Sequence, residues 1–191
     1  SRLAAGALVA VLTTPLYLAA IWHIYLALAP AGKWPSLRPL LLLGIGYVYG
    51  PFVHGSFYYV AEMDKLLPVV DPPAQAAVLE TATRATAVLF GTYFVLAAVT
   101  LAGFVWMIVT VARGGSRYPR WVALANPIVM IVIGSLLSRV LPSPFSIWLD
   151  GAGLNLGMLF FMALSTTLLW HERSWQPLDR LALSDGDAGR L

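Results

Sequence analysis

Long apolar runs separated by short polar turns make up most of this chain. A membrane-spanning helix needs about 20 mostly apolar residues, and five segments of the sequence reach that length. Proline or glycine stands in the breaks between them, as at Pro30, Gly115 and Pro142. The pattern predicts an all-α integral membrane protein, a bundle of five transmembrane helices with short loops. The predicted spans are residues 3–28, 39–62, 84–112, 121–141 and 148–170.

Outside the apolar runs, two stretches complete the predicted organisation. Asp71 followed by Pro72 and Pro73 is typical of a helix N-cap with proline in the first turn. We therefore expect the third helix to begin outside the membrane and to enter it near Arg84. Residues 1–170 form a single predicted domain, and residues 171–191 form a predicted cytoplasmic C-terminal tail.

The basic residues that flank the spans predict the orientation. Cytoplasmic loops of membrane proteins carry an excess of Lys and Arg, which places the C-terminus inside and Ser1 outside a cell inner membrane. Because the sequence starts without Met, we also expect a further helix upstream of it. The predicted cytoplasmic side holds Lys33, Arg38, Arg113, Arg117, Arg120, Arg173, Arg180 and Arg190, against Arg2, Lys65, Arg84 and Arg139 on the other.

Composition narrows the class of function. Hydrophobic residues make up 59% of the chain and charged residues 11%, whereas soluble domains carry about 25% charged residues. There is no cysteine, which excludes disulfides and thiolate metal sites. The net charge of +3 is too small for a nucleic-acid partner. The sequence predicts neither a metal site nor a cofactor. It predicts that the protein is embedded in the lipid bilayer.

Polar side chains within the second span are the strongest candidates for a site. Ionisable groups inside a membrane usually face the bundle interior or a wet cavity. His54, Tyr58 and Glu62 are spaced four residues apart, which places them along one stripe of a helix. The stripe predicts a His54 side chain buried in the bundle, with Glu62 and His54 as candidate catalytic residues.

Further polar residues of the later spans are expected at a similar depth. Together they predict a polar pocket that opens toward the outer leaflet, with Arg139 as counter-charge for Glu62 or Asp150. The predicted ligand-binding residues are Tyr58, Tyr93, Ser135, Ser138, Arg139, Asp150 and Asn155.

Small residues and histidines supply a second set of predictions. Gly46 with Gly50, and Gly153 with Gly157, have the spacing that lets membrane helices approach closely. Asn126 before Pro127 predicts a helix irregularity, with the Asn amide hydrogen-bonded across the bundle. Two more histidines, His23 and His171, lie at the predicted inner end as interfacial residues or as the two ligands of a haem.

Three short strings of the sequence carry a family resemblance: Pro15-Leu16-Tyr17 with Trp22-His23-Ile24-Tyr25, Val53-His54-Gly55-Ser56-Phe57, and Tyr118-Pro119-Arg120-Trp121 with Asn126-Pro127. Together they resemble a family of bacterial multi-pass membrane proteins whose domain has no known function, over nearly the whole chain. The architecture is more weakly similar to the emopamil-binding, sterol-isomerase-like proteins, which are also five-helix bundles. The spacing from His54 to Glu62 departs from the one-turn His/Glu spacing of those proteins.

Three classes of function remain open from the sequence. The first is a protein that binds a lipid-like or isoprenoid small molecule, or a partner subunit, in the outer pocket. The second is a membrane-embedded isomerase or cyclase, with Glu62 as acid or base, His54 as relay and Tyr58 as hydrogen-bond donor. The third is a small transporter component. A homo-oligomer or a subunit of a membrane complex is compatible with each class.

Overall fold

Five α-helices connected by short turns form the bundle. The computed structural model describes residues 2–171, except for the side chains of residues 2–3, 148, 150–152 and 171. The predicted tail therefore lies outside the described residues, apart from His171. The helices are α1 (Arg2–Leu28), α2 (Lys33–Leu66), α3 (Pro72–Arg113), α4 (Pro127–Ser138) and α5 (Phe145–His171). Four of them, all except α4, are long and apolar enough to cross a membrane.

The hairpin of α2 and α3 is longer than a bilayer. The 42 residues of α3 and the 34 residues of α2 span about 63 and 51 Å, against a hydrocarbon core of about 30 Å. Helix α3 begins at Pro72 after Asp71, as predicted, although the Asp71 side chain makes no capping hydrogen bond. Helix α2 begins at Lys33 rather than at residue 39, because the apolar run marks entry into the membrane and not the start of the helix.

The predicted fourth span differs most from the structure. A 3₁₀ segment covers Arg120–Ala125, and α4 occupies only the 12 residues Pro127–Ser138. Asn126 separates the two, and its side-chain oxygen accepts a hydrogen bond of 2.9 Å from the backbone N–H of Ile128. The irregularity at Asn126 is therefore confirmed, but the bond across the bundle is wrong. The amide instead caps its own helix, which is the usual role of Asn before a first turn that starts with Pro.

Basic residues and a dense apolar core lie together at one end of the bundle. The turn after α3 folds back on α1, where the Arg117 N–H donates to the Ala27 carbonyl at 2.9 Å. Gly114 and Gly115 make this turn with φ of 84° and 86°, a region that favours glycine. We call this end the basic end, after Lys33, Arg38, Arg113, Arg117 and Arg120. The core beside it contains Ile24, Leu28, Met107, Val111, Tyr118, Val122 and Phe161.

Only one glycine of each predicted pair packs against a neighbouring helix. A Cβ atom at Gly46 would collide with the Thr100 hydroxyl of α3, and one at Gly157 would lie 3.0 Å from the Pro127 carbonyl oxygen. Gly50 and Gly153 have no such neighbour within 4 Å. The packing prediction is therefore wrong for Gly50 and Gly153, because a spacing of four does not show which glycine faces a helix.

Candidate functional site

A cavity of about 360 Å³ lies between α1, α2, α3 and α5, in the half of the bundle away from the basic end. Gly46 closes α2 onto α3 at one side of this space, whereas Gly50, one turn further on, leaves it open. The lining is mixed, with apolar side chains and several hydroxyl, amide and imidazole groups. It consists of Gly6, Val9, Ala10, Thr13, Thr14, Tyr17, Gly46, Tyr47, Gly50, His54, Leu96, Thr100, Leu154 and Asn155.

Three polar side chains meet at the end of the cavity that is nearest to the basic end. The Tyr17 hydroxyl donates to Asn155 Oδ1 at 2.6 Å, which joins α1 to α5. The Tyr17 ring stacks on that of Tyr47, with centroids 4.7 Å apart and planes 19° apart. The Tyr47 hydroxyl is buried and has no hydrogen-bond partner among the described residues. Since a buried hydroxyl without a partner is unfavourable, this group is available to a bound molecule or a water.

The three residues of the predicted stripe on α2, His54, Tyr58 and Glu62, have different surroundings. His54 lines the cavity, but its side chain is exposed and not buried as predicted. Glu62 forms an ion pair of 2.7 Å with Lys65 on its own helix, and the predicted counter-charge Arg139 does not fill that place. Tyr58 packs its ring against Tyr59. The helical period gave the relative directions of the three side chains, but not the direction of the stripe relative to the neighbouring helices.

Of the remaining predicted ligand-binding residues whose side chains the structure describes, Asn155 alone lines the cavity. Tyr93 lies against the rings of Phe57 and Phe94. The Ser138 hydroxyl donates to the Ser135 carbonyl at 2.9 Å, within α4. Arg139 is exposed at the end of that helix, and the side chain of Asp150 lies outside the described residues. The structure thus brings together His54 and Asn155 from the predicted set.

Beside the cavity, a lateral cleft of about 470 Å³ separates α1 from α5. The cavity and the lateral cleft adjoin, because both are lined by Thr13, Tyr17 and Asn155. The cleft opens on the outer surface of the bundle, where its lining residues Leu16 and Leu159 are 69% and 68% exposed. The described residues that line it are Thr13, Leu16, Tyr17, Ala19, Ala20, His23, Asn155, Met158, Leu159, Met162 and Thr166.

A chain of three polar groups closes the other end of the lateral cleft. His23 Nε2 lies 2.9 Å from Ser165 Oγ, which in turn lies 2.7 Å from the Tyr118 hydroxyl. Ser165 and Tyr118 are buried, while His23 is half-buried and lines the cleft. Burial raises the pKa of Tyr118 to about 12, and the hydrogen bond with Ser165 opposes this rise. The bond between His23 and Ser165 joins residues 142 positions apart, so the sequence alone gives His23 no partner.

The charged side chains that the structure describes stand apart from the cavity and the cleft. Among the described residues, no Asp, Glu, Lys or Arg lines either space. At the basic end, the Arg38 guanidinium lies 4.4 Å from the centre of the Trp106 ring, as in a cation–π contact. Within the described part of the chain, no group of three or more His, Asp or Glu side chains is placed to hold a metal ion. The arrangement can therefore hold a neutral molecule by apolar contact and a few hydrogen bonds.

Comparison with known proteins gives one match. A family model described as "Family of unknown function (DUF6796)" covers residues 1–172 of the 191-residue chain. The chain belongs to this family. No curated protein and no solved structure matches it. The expected membership in a family without a known function is confirmed, whereas its bacterial origin and the weaker similarity to emopamil-binding proteins stay predictions. In this DUF6796 protein, the cavity and the lateral cleft are therefore the features that bear on function.

Proposed function

We propose that this DUF6796 protein binds a lipid-like or isoprenoid small molecule in the cavity and the adjoining lateral cleft. The observation that carries the proposal is the cavity itself, about 360 Å³ in volume and bordered by the hydrogen-bonded pair Tyr17 and Asn155. Small-molecule sites are commonly concave spaces of about 300–1,000 Å³ with a mostly apolar lining and a few polar groups. The exposed mouth of the cleft between α1 and α5 gives such a molecule a path from the bilayer.

The lining also supports a neutral ligand over a charged one. A phosphate or a carboxylate in a low-dielectric site needs a cation or several strong donors, and no Lys or Arg whose side chain the structure describes lines either space. Hydroxyl, amide and imidazole groups can pair with a hydroxyl or carbonyl oxygen without a charge. A neutral apolar molecule with one or two oxygen atoms fits this set of groups.

The isomerase or cyclase alternative has no comparable support. It requires Glu62 beside His54 in one dry site, because an acid catalyst needs burial to shift its pKa. In the structure, Glu62 is 36% exposed and pairs with Lys65, and it is not among the residues that line the cavity. The transporter alternative likewise has no specific observation in its favour.

We further propose five crossings of a cell inner membrane, with the basic end in the cytoplasm. The 3₁₀ segment Arg120–Ala125 and α4 together rise about 30 Å. Despite the short helix, this length is enough for one crossing, which is added to those of the other four helices. The cavity then opens in the outer half of the membrane. Single cysteines introduced at Lys33 and Asp71 of the cysteine-free chain test this, since an impermeant maleimide should label only position 71 in intact cells.

Native mass spectrometry of the protein purified in mild detergent tests the binding proposal. We expect a co-purified non-phospholipid molecule on the wild-type chain, and its loss from Gly50→Leu, because the new side chain fills the open space beside Gly50. The matched control is Gly44→Leu, on the same helix and also in open space, but not among the residues that line the cavity.

The control variant should retain both the molecule and the melting temperature of the wild type, whereas Gly50→Leu should stay folded but melt at a lower temperature, because it lacks the stabilising ligand. A wild-type chain that carries only phospholipid, and that takes up no added isoprenoid such as farnesol, would contradict the proposed function.

A further inference from the structure

We infer that the lateral cleft binds the head group of a prenylated quinone, held between His23 and Asn155, with the prenyl tail in the adjoining cavity. The inference rests on the proposed function and narrows its ligand to one chemical class. It depends on the N–H groups of His23 and Asn155 that make no hydrogen bond with the described residues, and on the apolar lining between those two donors.

The hydroxyl protons of Tyr118 and Ser165 determine the direction of the hydrogen bonds that run from Tyr118 through Ser165 to His23. If Tyr118 donates to Ser165, and Ser165 donates to His23 Nε2, each hydroxyl proton has an acceptor. In the opposite direction the Tyr118 proton has no acceptor among the described residues, although Tyr118 is only 3% exposed. Because buried donors are rarely left unpaired, His23 carries its proton on Nδ1.

Both ends of the lateral cleft consequently present hydrogen-bond donors. At one end His23 has an Nδ1–H group, for which the described residues supply no acceptor. At the other end Asn155 uses Oδ1 to accept from Tyr17, which leaves its amide N–H groups as donors. A ligand that satisfies both ends must therefore carry two acceptors.

The space between the donors is apolar. Methionine, leucine and alanine side chains line it. Thr13 already donates its hydroxyl proton to the carbonyls of its own helix, and Thr166 lies at the His23 end, next to Ser165. Tyr17 and His23 are six residues apart on α1, a rise of about 9 Å, which leaves room for a single six-membered ring. The apolar lining consists of Leu16, Ala19, Ala20, Met158, Leu159 and Met162.

A quinone head group matches this arrangement better than an alcohol does. Its ring is flat and apolar, and its two carbonyl oxygens are acceptors on opposite edges with no donor of their own. An isoprenoid alcohol has a single oxygen and can satisfy only one end. The Tyr17–Asn155 pair lies where cleft and cavity adjoin, so a tail passing beside it would reach Val9, Leu96 and Leu154.

Titration of the intact chain in phosphatidylcholine nanodiscs tests the inference, with decylubiquinone and farnesol as probes and native mass spectrometry as the readout. We expect His23→Phe and Asn155→Leu each to weaken decylubiquinone binding about tenfold, the loss of one hydrogen bond. Farnesol, whose single oxygen can satisfy only one end of the cleft, should lose affinity in at most one of the two variants. Trp22→Phe is the matched control on α1, since Trp22 is 53% exposed and is not among the residues that line the cleft.

The outcomes separate this inference from the proposed function. If both probes bind and neither variant affects decylubiquinone, the quinone assignment is overturned while the binding function stands. If farnesol binds and decylubiquinone does not, the result is the same. If neither probe binds and no ligand co-purifies, both are overturned.

The protonation of His23 can be measured independently of binding. The chain has three histidines, so ¹⁵N-histidine labelling followed by solid-state NMR, with a His23→Gln difference spectrum, isolates its signal. The expected spectrum at neutral pH shows the proton on Nδ1, and decylubiquinone should shift that resonance. A proton on Nε2 would overturn the assignment of the donor even if His23→Phe failed to fold.

Discussion

The two halves of this bundle differ in how closely their side chains are packed. Toward the basic end, Phe161 and Tyr118 fill a dense core, and hydrogen bonds link Tyr118 through Ser165 to His23. We call this the packed half. Toward the other end lies the cavity half, in which Gly50 meets no neighbouring helix and the Tyr47 hydroxyl has no partner among the described residues.

The difference separates a half that stabilises the bundle from a half that we propose binds the ligand. Dense packing with satisfied polar groups stabilises a membrane bundle, because lipid supplies no hydrophobic drive between helices and no hydrogen-bond partners. Open space with an unsatisfied hydroxyl contributes nothing to stability, and the space beside Tyr17 and Asn155 is the one that we propose for the ligand. Substitutions in the packed half should therefore unfold the protein, whereas those in the cavity half should affect binding first.

The largest expected effect is at Phe161. This side chain is fully buried and meets the Tyr118 ring edge-on at 5.9 Å. We expect Phe161→Ala to lower the free energy of unfolding by about 4 kcal/mol, the loss typical of a large core side chain. The neighbouring Phe160, which is 50% exposed, provides the matched control, and Phe160→Ala should cost less than about 1 kcal/mol. Denaturation in mixed micelles measures both, and equal losses would remove the distinction between core and lipid face.

High pH should also weaken the packed half, through Tyr118. Its folded pKa of about 12 lies above the unfolded value of about 10, so the unfolded chain releases the proton first. Stability from this group is complete below pH 10 and falls as the pH rises from 10 to 12, by roughly 2–3 kcal/mol. Unfolding measured at pH 9 and pH 12 should show this extra loss in the wild type and not in Tyr118→Phe. The same pH slope for both chains would contradict it.

The glycine pairs sharpen the comparison within single helices. Gly157→Leu should cost about 2 kcal/mol, because the new side chain would meet the Pro127 carbonyl and Met130. Gly153→Leu, one turn earlier and in open space, should leave stability nearly unchanged. Melting temperatures of the two variants decide this, and a larger loss at Gly153 would reverse the assignment of the packed face.

Hydropathy alone predicted most of the helices. Apolar length identified α1 and α5, and Asp71 with Pro72 gave the first residue of α3. The start of α2 was placed six residues late, because the turn from Lys33 to Arg38 is polar and lies at the basic end. Helix α4 was overestimated because apolar length does not register the break that Asn126 makes.

The candidate site was predictable only in part, since one sequence gives the period of a helix but not its rotation. Asn155 was identified because an amide inside an apolar span needs a partner. His23 was not, because its link through Ser165 to Tyr118 joins three distant segments. Glu62 was overvalued, since its neighbour Lys65 on the same helix satisfies it.

The smallest expected effect concerns Asn126, at the start of α4. Its Oδ1 caps the helix by accepting from the Ile128 N–H at 2.9 Å, while its Nδ2 is buried without a partner among the described residues. Asn126→Ala removes the cap and should cost about 1 kcal/mol. Asn126→Ser keeps an oxygen at the capping position and removes the unpaired amide group, so it should cost less than the alanine variant. Paired unfolding curves test this order; a serine variant as unstable as the alanine variant would show that Asn126 acts by filling space and not as a cap.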